Sequence, residues 1–285
     1  MVCDPRVRAL ALSVTLVGFT GVAQGQSAQV ERGSYLVNTI MACGNCHSPK
    51  GPPAAIAGKD FSGGLTFDEP PFKVTGSNIT QDKETGIGAW SDAEIKTLLR
   101  TGKRPNGVQV AGIMPTAFYG IITDSDMNAI VAYLRTVKPV KNAVPDPIYK
   151  IALPHHAFPG AEKPYTEAML ADKVKRGHYL VTIGHCMECH TPFGARGKDF
   201  VGDLGKGGME FNGPWGKTVS RNITPSKTSG LGDWSDADIK AAITKGVRKD
   251  GSPLKPPMGY PHYAQMTADD LDAMVAYLRT VPVKE

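Results

Sequence analysis

Two five-residue runs carry the reactive side chains of this sequence. Cys43-Gly44-Asn45-Cys46-His47 and Cys186-Met187-Glu188-Cys189-His190 both read CxxCH, the covalent attachment pattern for c-type haem. The spacing has a chemical reason. Two thiols three residues apart on one helical turn can add to the two vinyl groups of a porphyrin, and the adjacent imidazole reaches the iron from the same side. A single run could be a redox dithiol or part of a zinc site. Two of them behind an export leader predict two covalently attached haem c groups, held by Cys43, Cys46, Cys186 and Cys189, with His47 and His190 on the irons.

A haem iron has a second axial position, and an internal repeat narrows the search for what fills it. Arg32-Gly33-Ser34-Tyr35-Leu36-Val37 returns as Arg176-Gly177-His178-Tyr179-Leu180-Val181, 144 residues on. Asn78-Ile79-Thr80, Trp90-Ser91-Asp92 and Tyr133-Leu134-Arg135-Thr136 return at the same offset, as Asn222-Ile223-Thr224, Trp234-Ser235-Asp236 and Tyr277-Leu278-Arg279-Thr280. One residue is lost before the second motif, where the offset is 143. Of the methionines, only Met114 and Met258 are related by the repeat. Both lie in loops stiffened by proline, Ile113-Met114-Pro115 and Pro256-Pro257-Met258, so each thioether is the expected sixth ligand of its haem. Outside the motifs no histidine is duplicated: His178 aligns with Ser34, His185 with Ala42 and His262 with Phe118. His262, four residues past Met258, is the alternative ligand for the second haem.

The elements that must position these groups are legible at coarse grain. A short helix leads into each motif. An amphipathic helix ends each repeat, with Met127, Ile130, Val131 and Leu134, and again Leu271, Met274, Val275 and Leu278, at the i, i+3, i+4, i+7 spacing of one helical face. Thr123 to Asp126 and Thr267 to Asp270 have the spacing of a capping box at the start of these helices. A third helix follows each tryptophan, where Ser91 faces Glu94 and Ser235 faces Asp238. The stretches between motif and third helix are rich in Gly and Pro and have little periodicity. Pro139, Pro145, Pro147, Pro154, Pro159 and Pro164 mark a linker over 138–173. His155 and His156 lie inside it and are expected to be solvated, with a metal site at the junction as the other option. The expected organisation is therefore a leader over 1–25, one haem domain over 26–137, the linker, and a second haem domain over 174–285. The predicted class is all-α.

Arg6 and Arg8 precede an apolar stretch from Ala9 to Ala23, followed by the small residues of Ala23-Gln24-Gly25, which is the layout of a cleaved secretory leader. That places the mature protein in the periplasm, with cleavage expected near Gly25, Cys3 removed and no transmembrane segment remaining. Four cysteines in an exported chain would ordinarily suggest disulfides, but their arrangement as two CxxCH runs overrides that. Gly 32 and Pro 22 make up about a fifth of the chain without a collagen period, and the hydrophobic fraction of 41% suits a globular protein rather than a disordered or membrane one. The net charge of +5 falls to +4 without the leader, and there is no basic run, so nucleic acid is not an expected partner. Lys198, Lys206, Lys217 and Lys255 could form a docking face beside the second haem or be ordinary surface lysines.

CxxCH, then Asn-Ile-Thr, then Thr-Gly-Ile-Gly-Ala-Trp-Ser-Asp over 85–92, then Ile113-Met114-Pro115 and Ala132-Tyr133-Leu134-Arg135, resembles the class I cytochrome c domains found in cytochrome subunits of bacterial periplasmic dehydrogenases for alcohols, aldehydes, sugars or gluconate. The likeness spans 30–137 and 174–281. It implies two tandem class I cytochrome c domains related by internal duplication, with terminal helices crossing where Gly33 meets Tyr133 and Gly177 meets Tyr277. Glycine at such a crossing lets two backbones approach closely. The resembled subunits commonly carry three such domains and a C-terminal membrane-binding segment. Two repeats are present here, so a permanent membrane complex is not expected, and Met258-Gly259 in place of Met114-Pro115 implies a looser second ligand loop. Asn78/Asn222, Thr80/Thr224 and Trp90/Trp234 could bond haem propionates or serve in caps and packing.

The functional expectation is one-electron transfer from a periplasmic dehydrogenase toward a terminal oxidase or another cytochrome, with no catalytic residues of its own. Met/His ligation, which raises the potential, suits that direction. The alternative is a peroxidase-like dihaem enzyme, which needs one iron with an open or displaceable sixth position. A methionine offered to both irons speaks against it.

Overall fold

A computed structural model describes residues 20–50, 56–153, 155–195 and 197–285. The expected leader lies outside the described residues as far as residue 19. In the first half, helix α1 (Thr20–Tyr35) runs into a π turn (Leu36–Ile40) and the four-residue helix α2 (Gly44–His47). The hairpin β1 (Thr66–Glu69) and β2 (Phe72–Thr75) comes next, then α3 (Asp92–Thr101), a 3-10 turn (Thr116–Ile121) and α4 (Asp124–Leu134). Strand β3 (Ile148–Tyr149) returns to pair with β2, and a 3-10 turn (Glu167–Ala171) leads into the second half. There α5 (Lys173–Ile183) and α6 (Cys186–Cys189) are followed by the hairpins β4 (Phe193–Gly194)/β5 (Gly197–Lys198) and β6 (Glu210–Gly213)/β7 (Gly216–Val219), then α7 (Asp236–Lys245), α8 (Tyr260–Tyr263) and α9 (Ala268–Leu278). The mainly helical expectation holds, with small hairpins in the Gly- and Pro-rich stretches where no period was visible.

Each half is built on its first and last helices. The predicted faces of α4 and α9 are buried: Met127, Ile130, Val131 and Leu134 are at most 5% exposed, and Leu271, Met274, Val275 and Leu278 at most 9%. Burying each such side chain contributes about 1.5–3 kcal/mol. At the crossings, a Cβ placed on Gly33 would sit 1.9 Å from the Ala129 carbonyl oxygen and 2.7 Å from Tyr133 Cβ. One on Gly177 would meet Ala273 O and Tyr277 Cβ at the same two distances. The glycine crossing expected from the resemblance is present twice.

Helix ends follow the sequence in one pair and depart from it in the other. Ser91 and Ser235 form full capping boxes with Glu94 and Asp238. Thr123 and Thr267 accept the backbone N–H of Asp126 and Asp270, but the second arm of the box is missing because both carboxylates turn inward. Each meets an arginine of its own half, Arg32 on Asp126 and Arg176 on Asp270.

The segment 138–173 is packed along much of its length. Asn78 and Thr80 do not wait for a propionate: Thr80 N–H and O–H donate to Asn78 Oδ1, and Asn78 Nδ2 donates to Thr85 Oγ1 and to the carbonyls of Val140 and Asn142. Asn222 and Thr224 grip Lys284 in the same way. The repeated Asn-Ile-Thr is a clamp on the chain that leaves each terminal helix. Further on, Phe158 and Ala161 are buried, Phe158 stacks on Phe118 with ring centroids 4.7 Å apart, and Tyr165 donates its N–H to Ile121 O. His155 is half-buried beside Gly102, and His156 is exposed. No group of three metal-binding side chains occurs among the described residues. The groove that 158–165 fills has an open counterpart 144 residues away in register, a cavity of about 510 Å³ lined by Glu31, Ser34, Tyr35, Asn38, His262 and Gln265.

Candidate haem sites

Each CxxCH run is one helical turn entered through a residue with left-handed backbone, Ala42 (φ 48°) or His185 (φ 42°). Such a conformation is uncommon outside glycine, and for alanine it has no side-chain compensation. Its occurrence at both equivalent positions marks a turn that the motif requires. The sequence slip from 144 to 143 also has a structural cause. The first half carries one more residue before its motif, and the π turn over Leu36–Ile40 absorbs it: Met41 N–H donates to Leu36 O and Cys43 N–H to Val37 O. A π turn inserts a residue into a helix without displacing the chain beyond it. The two motifs therefore leave their helices in equivalent poses.

His47 Nδ1 lies 2.7 Å from Ser77 O, and His190 Nδ1 lies 2.7 Å from Arg221 O. A carbonyl can only accept, so Nδ1 carries the proton and Nε2 keeps its lone pair for an iron, the arrangement by which proteins fix a ligating imidazole. Burial lowers the pKa of both rings, which favours the neutral, ligating form. The motif backbone is tied to the loop behind it through equivalent bonds, Gly63 N–H to His47 O and Gly207 N–H to His190 O. None of the four cysteines is in a disulfide. Burial pushes the Cys43, Cys186 and Cys189 thiols up to about 12 and raises Cys46, so without a haem they stay protonated and are poor metal ligands or nucleophiles.

Beside His47 stands Arg104, and the repeat pairs it with Arg248 in the second half. Arg104 donates to Ser77 Oγ at 2.8 Å, and its charge acts on His47. Its counterpart Arg248 has a buried Nε with no hydrogen-bond partner among the described residues. An unpaired buried guanidinium N–H is costly, and a haem propionate is the kind of anion that satisfies it. The residues thus fit the group: thiols and imidazole on one turn, a cation waiting beside them. The offset of 144 between two arginines was the available signal, hidden among 32 basic residues. The backbone carbonyls of Trp90 and Trp234 accept from Arg135 and Arg279.

Met114 sits in a bend, half-buried against the hydrophobic core, and Met258 is half-buried after the Pro256-Pro257 pair. Three other histidines make Nδ1 contacts. His178 Nδ1 is 2.7 Å from Tyr165 OH, His185 Nδ1 is 3.0 Å from Glu188, and His262 Nδ1 is 3.2 Å from Asn38 O in the opposite half. Three of the four lysines suggested for a docking face are also engaged: Lys198 with the Glu188 and Thr191 carbonyls, Lys206 with Asp203 and Lys217 with Glu210. Lys255 is exposed. No helix among the described residues is long and apolar enough to cross a membrane.

Comparison with known proteins agrees with this geometry. The cytochrome c family model matches residues 30–138 and 174–282. The chain is 32% identical to the gluconate 2-dehydrogenase cytochrome c subunit of Pantoea cypripedii, over 97% of its own length and 65% of the relative's. It is also 32% identical to the cytochrome c subunit of the quinone alcohol dehydrogenase of Gluconacetobacter polyoxogenes, over 95% and 60%. A diheme cytochrome c-type protein of Cereibacter sphaeroides is 31% identical, over 85% and 83%. The chain thus spans about three-fifths of the length of the dehydrogenase subunits it matches.

Proposed function

The chain belongs to the cytochrome c family, as two tandem domains with two covalently bound haem c groups, and from that premise we propose that it is a periplasmic electron carrier passing electrons one at a time from a dehydrogenase toward an oxidase or another cytochrome. Cys43, Cys46, Cys186 and Cys189 hold the haems; His47 and Met114 ligate the first iron, His190 and Met258 the second. When bound, each haem supplies a one-electron redox centre. The protein keeps the Nε2 atoms of His47 and His190 unprotonated through the Ser77 and Arg221 carbonyls and sets cations, Arg104 and Arg248, beside the anionic edge.

The observation that carries this reading is the duplication itself: every group offered to the first iron is offered again to the second. A peroxidase-like enzyme needs unlike irons, one of them open. The dehydrogenase partnership follows from the relatives named for gluconate and alcohol dehydrogenases, and export from the leader at Arg6 to Gly25.

The test is stopped-flow oxidation and reduction of the mature holoprotein. Reduced protein mixed with an oxidised c-type cytochrome, and oxidised protein mixed with a reduced periplasmic quinoprotein dehydrogenase, are expected to exchange one electron per haem, with little turnover of peroxide. Rapid peroxide turnover with slow exchange toward both proteins would replace the carrier reading by the enzymatic one.

A further inference from the structure

The two halves meet across an approximate two-fold axis, with Tyr35 of the first half bonded to Asp270 of the second and the equivalent Tyr179 of the second bonded to Asp126 of the first. The turns that lead into the two motifs meet there: a Cβ on Gly184 would lie 3.3 Å from Ile40 O of the other half and 3.6 Å from Cys186 Sγ of its own. Tyr119 and Tyr263 are also equivalent. Tyr119 is buried and Tyr263 half-buried, both packed into the core the halves share. The attachment motifs thus open from turns that meet at the interface, beside a hydrophobic core that is continuous through both halves.

Two identical networks flank that axis. Asp126, 4% exposed, accepts Arg32 Nε and Nη2 at 2.8 Å from its own half and Tyr179 O–H at 2.7 Å from the other. Asp270, 1% exposed, accepts Arg176 Nε at 2.7 Å and Tyr35 O–H at 2.6 Å. A buried carboxylate is tolerated only when its charge and lone pairs are matched. Here the match is complete only with the halves docked, because the phenol comes from across the interface. Burial, together with the bond to the carboxylate, keeps Tyr35 and Tyr179 as protonated donors. An interface in which residue i meets residue j and j meets i is self-complementary and fixes one relative orientation.

We infer that Asp126 and Asp270 are positioning residues for electron exchange between the two haems: through Tyr179 and Tyr35 they lock the two attachment motifs at one separation, so an electron crosses directly at the axis within one molecule. One iron is oxidised by one unit, the other is reduced by one, and no bond or proton changes place. This rests on the electron-carrier reading and adds the route between its two centres.

The test uses mature holoprotein. One electron is injected photochemically into the diferric protein, redistribution between the haems is followed at several protein concentrations, and the diferric EPR spectrum is recorded for magnetic interaction between the irons. Wild type is expected to redistribute at a rate independent of concentration and to show that interaction. Tyr35→Phe with Tyr179→Phe removes only the crossing hydroxyls; each haem should keep its own absorption spectrum and potential, while the internal rate falls several-fold and the interaction weakens, since both decrease steeply as the centres separate. Asp126→Asn with Asp270→Asn should act in the same direction, and if that pair fails to fold, the tyrosine pair alone decides. A wild-type rate proportional to protein concentration overturns the inference, as do an unchanged rate and spectrum in the tyrosine pair. Because the electron comes from a photoexcited small-molecule reductant, these results do not depend on any outside protein, so a failed carrier reading would show separately as absent exchange with redox partners.

Discussion

Gly33→Ala is expected to lower the stability of the holoprotein by about 2–3 kcal/mol, against the usual sign for such a change. Inside an unencumbered helix, alanine is better than glycine by about 1 kcal/mol. Here the added methyl would sit 1.9 Å from a backbone oxygen, Ala129 O, which cannot rotate away as a side chain would. Helix α4 has to retreat by more than about 1 Å to restore van der Waals contact. Retreat opens the interface beneath Leu36, Ile130 and Val131, all at most 2% exposed, so the packing loss outweighs the propensity gain. Gly177→Ala faces Ala273 O at the same distance and should cost the same. Urea unfolding midpoints of both variants check this; a variant as stable as wild type would mean the helices are not closely packed at that glycine.

Cys43→Ala with Cys46→Ala is expected to take the haem content from two per chain to one, and so is Cys186→Ala with Cys189→Ala. The four thiols lie in two isolated turns with no disulfide among them, so neither pair can take over for the other. Haem content by pyridine haemochrome, and haem staining after denaturing electrophoresis, give the count directly. Cys3→Ser should leave both haems in place, since Cys3 belongs to the expected leader. Two haems retained in either double variant would mean that attachment does not run through these thiols.

A repeat identifies equivalent residues, so the duplicated motifs and the pairing of Met114 with Met258 were readable in the sequence, while the glycine crossings came from the family resemblance. Equivalence does not report contact. Tyr35 and Tyr179 stood in the repeat in plain view, but that each reaches the aspartate of the opposite half depends on how the halves dock. For the same reason Asp126 and Asp270 read as cap partners: Thr-x-x-Asp is a sound local pattern, and a half-buried arginine 94 residues away draws the carboxylate instead. Asn78 and Thr80 looked free for a propionate because their partners, Val140 and Asn142, lie in a segment whose prolines suggested a spacer. The lost residue before the second motif was visible as a slip in register; that a π turn absorbs its counterpart is a backbone fact with no residue signature. The hairpins escaped notice because strands of two to four residues, mostly exposed, leave no alternation to detect.

The central claim is that both irons share one coordination, histidine on one side and methionine on the other, as a carrier requires. It is tested most directly by near-infrared and EPR spectra of the ferric holoprotein alongside Met114→Ala and Met258→Ala. Two low-spin irons with a sulfur-to-iron charge-transfer band, of which each variant loses one haem's share, is the result expected here. A high-spin or bis-histidine iron in the wild type, or a band untouched by either substitution, would contradict it.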